Sequence, residues 1–104
     1  MKKVFKNKVY VETIVRQLGS NGTLLGHWLL VDAVMERLSG HPVRVAAHRA
    51  AELHGIPMQL AHSRLHGVLN YMEKVHSERY VELWNGKRPT PMELIERIAA
   101  EAQQ

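Results

Sequence analysis

The sequence predicts a mainly α-helical domain carrying one small β-hairpin, and three observations lead there. Apolar residues recur at helical spacing over Leu24, Trp28, Val31, Met35 and Leu38. A second, alanine-rich run stops at Gly55, after which Ile56-Pro57 opens an amphipathic segment with Pro57 in the first turn, where its missing N–H costs nothing. Near the end, Asn85-Gly86 stands between Arg79–Trp84 and Lys87-Arg88, the dipeptide that supplies the positive φ angles of a type I′ turn.

Each element follows in order. Val11, Ile14, Val15 and Leu18 fit one face of a helix beginning near Val9 and ending at Gly19-Ser20-Asn21-Gly22. Thr23 is placed to cap a central core helix that runs to Ser39-Gly40, with Trp28 in the middle of its stripe and Leu25, Leu29, Leu30 and Val34 widening it. Val43-Arg44-Val45, β-branched and behind Pro42, reads as a short extended piece. A helix through Ala46, Ala47, Ala50, Ala51 and Leu53 follows, small enough along one side for a close crossing. In the segment after Pro57, Met58, Ala61, Leu65, Val68, Leu69, Met72 and Val75 share one arc, and Gln59, His62, Ser63, His66, Asn70 and Glu73 the opposite one. Arg79–Trp84 then reads as a strand, with Trp84 packing in the hairpin, and Pro89 keeps the return strand short and at an edge. Thr90-Pro91-Met92-Glu93 is a capping box, and Leu94, Ile95, Ile98, Ala99 and Ala102 form the apolar face of a terminal helix.

The 104 residues suit a single domain, 1–104, and 45% hydrophobic with 23% charged residues is ordinary globular composition. With no cysteine there is no disulfide frame, thiolate metal site or cysteine nucleophile, which fits a reducing, cytoplasmic location. No apolar run approaches the roughly 20 residues that span a bilayer, and nothing behind the charged N-terminus resembles a secretion signal, so no membrane association is expected. The net charge of +4 points to an anionic partner. Lys2, Lys3, Lys6, Lys8 and Arg16 against Glu12 account for all of it, which marks residues 1–8 as a basic arm or a merely solubilising terminus. Residues 41–72 carry three arginines and five histidines against one acid, Glu52.

The outward arc of the 57–74 helix is rich in hydrogen-bonding groups rather than in the Lys and Glu of an ordinary solvated face. Together with Ala50 or Ala51, Gly55, Ile56, Ala61 and Leu65, the order of elements over residues 23–90 resembles the winged helix-turn-helix family. In that family a small residue lets the second helix cross the first, a glycine makes the left-handed turn, and apolar residues seal the pair. The resemblance implies a non-enzymatic regulator of transcription that binds double-stranded DNA sequence-specifically, with helix 57–74 in the major groove. Gln59, His62, Ser63 and His66 would face base edges, and Arg44, Arg49 and Arg64 would contact phosphates. Lys87 and Arg88 would do so from the tip of the wing, and helix 91–102 would lie outside the unit. No cofactor and no small-molecule substrate are implied. Protonated histidines would add to phosphate attraction as pH falls through about 6.5.

Other chemistries fit less well. His62 and His66 have the i, i+4 spacing of a metal pair, yet Ser63 stands where a zinc hydrolase of the His-Glu-x-x-His type needs glutamate, and no thiolate is available. No serine sits in a nucleophile elbow and no glycine loop cradles phosphate, so an enzyme is not expected. The alternative from another class is a small helical interaction protein or inhibitor. Its support is the Leu94, Ile95 and Ile98 face, which could pair with a second copy; the same face would serve a homodimeric DNA binder reading two half-sites.

Overall fold

The computed structural model describes the backbone of residues 3–103 and the side chains from Lys8 to Gln103. It holds six α-helices: α1 (Lys3–Gln17), α2 (His27–Leu38), α3 (Val43–Leu53), α4 (Met58–Val75), α5 (Glu78–Trp84) and α6 (Pro91–Ala102). Among the described residues there is no strand, and no helix is long and apolar enough to cross a membrane.

The predicted hairpin is therefore wrong, and α5 occupies its place. Ser77 caps α5 by accepting from the Tyr80 N–H, and Tyr80 and Leu83 are buried at the i, i+3 spacing of a helix. Asn85 (φ 47°) and Gly86 (φ 87°) do take positive φ, but the Asn85 N–H bonds back to the Val81 carbonyl, so the pair ends a helix instead of turning a hairpin. Among the described residues there is no wing, and Lys87 and Arg88 lie in the connection between α5 and α6.

Smaller corrections have similar causes. Val43-Arg44-Val45 is the first turn of α3, because Val43, Ala46, Ala47, Ala50 and Ala51 form one inward helical face behind the extended Pro42. The first helix begins at Lys3, so residues 3–8 of the supposed arm are backbone of α1, while residues 1 and 2 lie outside the described residues. Helix α2 starts at His27 and not behind Thr23; Asn21 caps the preceding turn instead, its Oδ1 accepting from the Thr23 N–H. Its buried face, His27, Leu29, Leu30, Val31, Ala33 and Val34, is rotated about a quarter turn from the predicted stripe, which leaves Trp28 42% exposed.

Helix α2 packs on α1, α3, α4 and α6, and α6 packs on α1, α2, α3 and α4. Leu94, Ile95 and Ile98 are wholly buried in this core, behind the predicted capping box of Thr90 and Glu93. Helices α3 and α4 are joined at Gly55, whose φ of +67° lets the Gly55 N–H reach the Glu52 carbonyl and the Ile56 N–H that of Ala51. Ala51, Ala61 and Leu65 are buried at the crossing. Ala51→Leu is expected to overpack it and lower stability by about 1–3 kcal/mol in thermal unfolding; an unchanged melting temperature would place the crossing elsewhere.

Candidate nucleic-acid interface

Because Ala61, Leu65, Val68, Leu69 and Met72 turn inward, α4 presents Gln59, His62 and Ser63 to solvent, with His66 half-buried one turn on. The His62 and His66 rings meet edge to face at 4.7 Å. No third His, Cys, Asp or Glu joins them in a metal-holding group among the described residues. A groove of about 450 Å³ separates this face from α3, lined by Arg44, His48, Met58, Gln59, His62 and Met92, with no carboxylate among them.

The five predicted phosphate contacts fall into different settings. Arg44 is exposed in the first turn of α3 and forms no ion pair among the described residues. Arg49 is turned away, its Nε donating to Glu36 at 2.8 Å beside Glu52 and Leu53. Arg64 is half-buried on the flank of α4, about 100° round from Ser63, and its Nε–H is buried without an acceptor. Lys87 is exposed and forms no ion pair among the described residues. Arg88 reaches back onto α4, donating to Glu73 and to the Asn70 Oδ1. Arg44, level with Gln59, is thus a cation without an ion pair among the described residues, whereas Arg88, level with Asn70, is neutralised by Glu73. From Gln59 to Asn70 the helix rises about 16 Å, comparable to the roughly 12 Å width of a major groove.

Burial depresses the His66 imidazole below the ordinary value, and the charges of His62 and Arg88 push it lower still. His66 is therefore neutral near pH 7, able to accept and to donate one hydrogen bond. Two other histidines are diverted: His54 Nε2 lies 2.7 Å from Asp32 and His41 Nε2 3.5 Å from Glu36.

Sequence reasoning missed one polar cluster. His27, fully buried at the start of α2, has Nε2 2.8 Å from Glu12 Oε2 and Nδ1 2.7 Å from the Ser20 hydroxyl. With Glu12 ionised, Nε2–H donates to the carboxylate and Nδ1 accepts from Ser20. A Ser-His-Glu set invites a catalytic reading, but Ser20 is only 5% exposed, and the hydroxyl is closed to substrate. The set clasps α1, the 18–26 segment and α2. The one signal in the sequence was a histidine amid the apolar residues of a core helix, and its partners are 7 and 15 residues away along the chain.

Burial would raise the Glu12 carboxyl, but hydrogen bonds from His27 and Arg16 and the Arg16 charge outweigh it and hold it below the ordinary value. This stabilisation is complete above pH 4.5 and is lost as pH falls through the lowered folded-state value. Glu12→Gln is expected to flatten the acid limb of a stability-against-pH curve from urea titrations; an unaltered limb would deny Glu12 that role.

No family model matches the chain, and no curated protein or solved structure is similar enough to count as a match.

Proposed function

We propose that the chain is a cytoplasmic, non-enzymatic regulator that binds double-stranded DNA sequence-specifically, laying the exposed face of α4 in the major groove. The observation that carries this reading is the groove lined by Arg44, His48, Gln59 and His62 with no carboxylate among its lining residues, continued along α4 by the exposed Ser63 and half-buried His66. In this reading Gln59 pairs with adenine N6 and N7, Ser63 serves a base or a phosphate, and His62 and His66 offer their ring nitrogens to base edges. Arg44 engages phosphate beside Gln59, and Arg88, held by Glu73 and Asn70, does so only by giving up that ion pair. Lys87, in the connection after α5, is a more distant contact, and Arg49 and Arg64 contribute little, since one is ion-paired and the other is turned to the flank.

The interaction-module alternative loses its supporting observation, because Leu94, Ile95 and Ile98 are buried in this chain's own core. A homodimer, if one forms on DNA, uses another surface.

The test is fluorescence anisotropy with a labelled random-sequence duplex, at low and at near-physiological salt. Binding that weakens steeply with salt, falls with Arg44→Ala and survives Arg49→Ala supports the reading. No binding at low salt refutes it.

Proton linkage gives a second expectation. Phosphate opposite His66 favours its charged form, so DNA binding takes up a proton and affinity rises as pH falls below the ordinary value of 6.5. Folding has the opposite sign, since a depressed imidazole gives stability above 6.5 that is lost as pH falls through the folded-state value. Anisotropy titrations between about pH 7.5 and 5.5 should show the rise and His66→Gln should reduce it; a pH-independent affinity would remove His66 from the interface.

A further inference from the structure

A helix laid in a major groove makes contact through its convex ridge, whereas the surface between α3 and α4 is concave. Arg44 and His48 stand one turn apart on α3, Gln59 and His62 nearly one turn apart on α4, and all four are exposed. The half-buried Met58 and Met92 line the same hollow, Met92 from the first turn of α6. Its volume of about 450 Å³ falls in the roughly 300–1,000 Å³ range of small-molecule pockets.

The chemistry of the lining selects an occupant. Every ionisable group in it is basic, and Arg44 forms no ion pair among the described residues. The histidine–carboxylate pairs among those residues belong to His27, His41 and His54, so His48 and His62 have no carboxylate of their own. Glu93, the acid that follows Met92, is occupied in the α6 cap, where it accepts from the Thr90 N–H, and it lines the neighbouring hollow instead. The planar guanidinium of Arg44 suits a carboxylate, which it can grip through two parallel N–H bonds. Two thioethers and two imidazoles suit an aromatic ring better than an aliphatic one, because sulfur packs favourably against aromatic rings and imidazoles meet them edge on.

We infer that this groove is a binding site for a small aromatic carboxylate, with the ring against Met58 and Met92 and the carboxylate at Arg44. Such a ligand occupies Arg44, Gln59 and His62, the groups assigned above to the duplex, so it competes with DNA and regulates the same surface. The competition rests on the nucleic-acid reading; the site itself does not.

The test uses the intact chain with carbon-13 in the methionine methyl groups, titrated with 3-phenylpropionate. The Met58 and Met92 signals, assigned with Met58→Leu and Met92→Leu, should shift saturably under the ring, with a Kd on the order of 1 mM for a probe of this size, while those of Met35 and the buried Met72 stay still. The neutral 3-phenylpropionamide should bind about tenfold more weakly, and Arg44→Gln should weaken the acid about tenfold. The saturated 3-cyclohexylpropionate, read by its displacement of the aryl acid, should bind about threefold to tenfold more weakly. Met58 and Met92 signals that stay still at about ten times the expected Kd overturn the site. Equal affinity for acid and amide, or an acid affinity indifferent to Arg44→Gln, overturns the carboxylate assignment, and equal affinity for the saturated acid overturns the aromatic one.

A second arm separates the site from the nucleic-acid reading. In duplex anisotropy, 3-phenylpropionate at ten times its Kd should lower the apparent DNA affinity about tenfold relative to acetate at equal ionic strength. Methyl shifts with a duplex affinity no lower than in acetate overturn the competition. Methyl shifts with no duplex binding at all refute the nucleic-acid reading and the competition together and uphold the site. Duplex binding with still methyl signals does the reverse, refuting the site and upholding that reading.

Discussion

Gly26→Ala is expected to lower stability by about 3 kcal/mol or more and the melting temperature by about 12–24 °C, although one methyl group is all that is added. Gly26 caps α2 with φ −93°, which any residue adopts, so conformational strain plays no part. The reason is space. A Cβ at this position would sit 2.7 Å from Val68 Cγ2 and closer still to the Arg64 carbonyl oxygen, which belongs to the backbone of α4. A side chain can swing aside, whereas this carbonyl moves only if α4 moves, and Ala61, Leu65, Val68 and Leu69 hold α4 in the core. Gly22→Ala is the control, because its Cβ would meet nothing nearer than the Arg16 guanidinium at 3.5 Å. Thermal melts by circular dichroism decide the matter: a Gly26→Ala protein melting with the parent would show that α2 does not start against α4.

Arg44→Glu is expected to weaken DNA binding by about 10- to 100-fold at roughly 0.1 M salt, with little change in stability. Arg44 is exposed, forms no ion pair among the described residues and lines the carboxylate-free groove beside Gln59 and His62. Reversal removes one counterion-releasing contact and puts a repulsive charge where phosphate would lie. Because phosphates carry no sequence information, the loss should be similar on every duplex, and the slope of log affinity against log salt should shrink by about 1. Gln59→Ala should do the converse, costing about 1–3 kcal/mol of discrimination at one base pair and leaving random-sequence affinity alone. Binding by Arg44→Glu at full strength would move the interface off this groove. A uniform loss for Gln59→Ala would make Gln59 a backbone contact.

What could be read from the sequence depended on whether the deciding partner was local. The Thr90–Glu93 capping box and the inward residues of α6 were legible because both belong to one turn or one helix. So was the glycine junction at Gly55, and so was the polar arc of α4, since its opposite face is uniformly apolar. Asn85-Gly86 misled because positive φ serves a hairpin and a helix C-terminus equally, and the choice lay with Ser77 upstream, a cap that strand-like Arg79–Trp84 obscured. Trp28 was assigned to the core because it lies in the middle of an apolar stripe, but His27 takes the inward position through Ser20 and Glu12, which no spacing rule connects to it. The ion pairs of Arg49 and Arg88 reach residues on other elements, so the sequence could not separate these two from Arg44, which forms none among the described residues.

The position of α6 bears on how the domain is made. It packs on α1, α2, α3 and α4, and it follows all of them along the chain. During translation the first four helices leave the ribosome while the surface meant for Leu94, Ile95 and Ile98 is still open to water. Local pairing of α3 with α4 closes only a short loop, whereas joining α1 to α6 closes nearly the whole chain, the slower event by loop entropy. A nascent chain halted before Thr90 is thus an unfinished core with an exposed apolar wall. Until α6 packs, that wall stays open to water and to proteases, and the core of these helices is not complete.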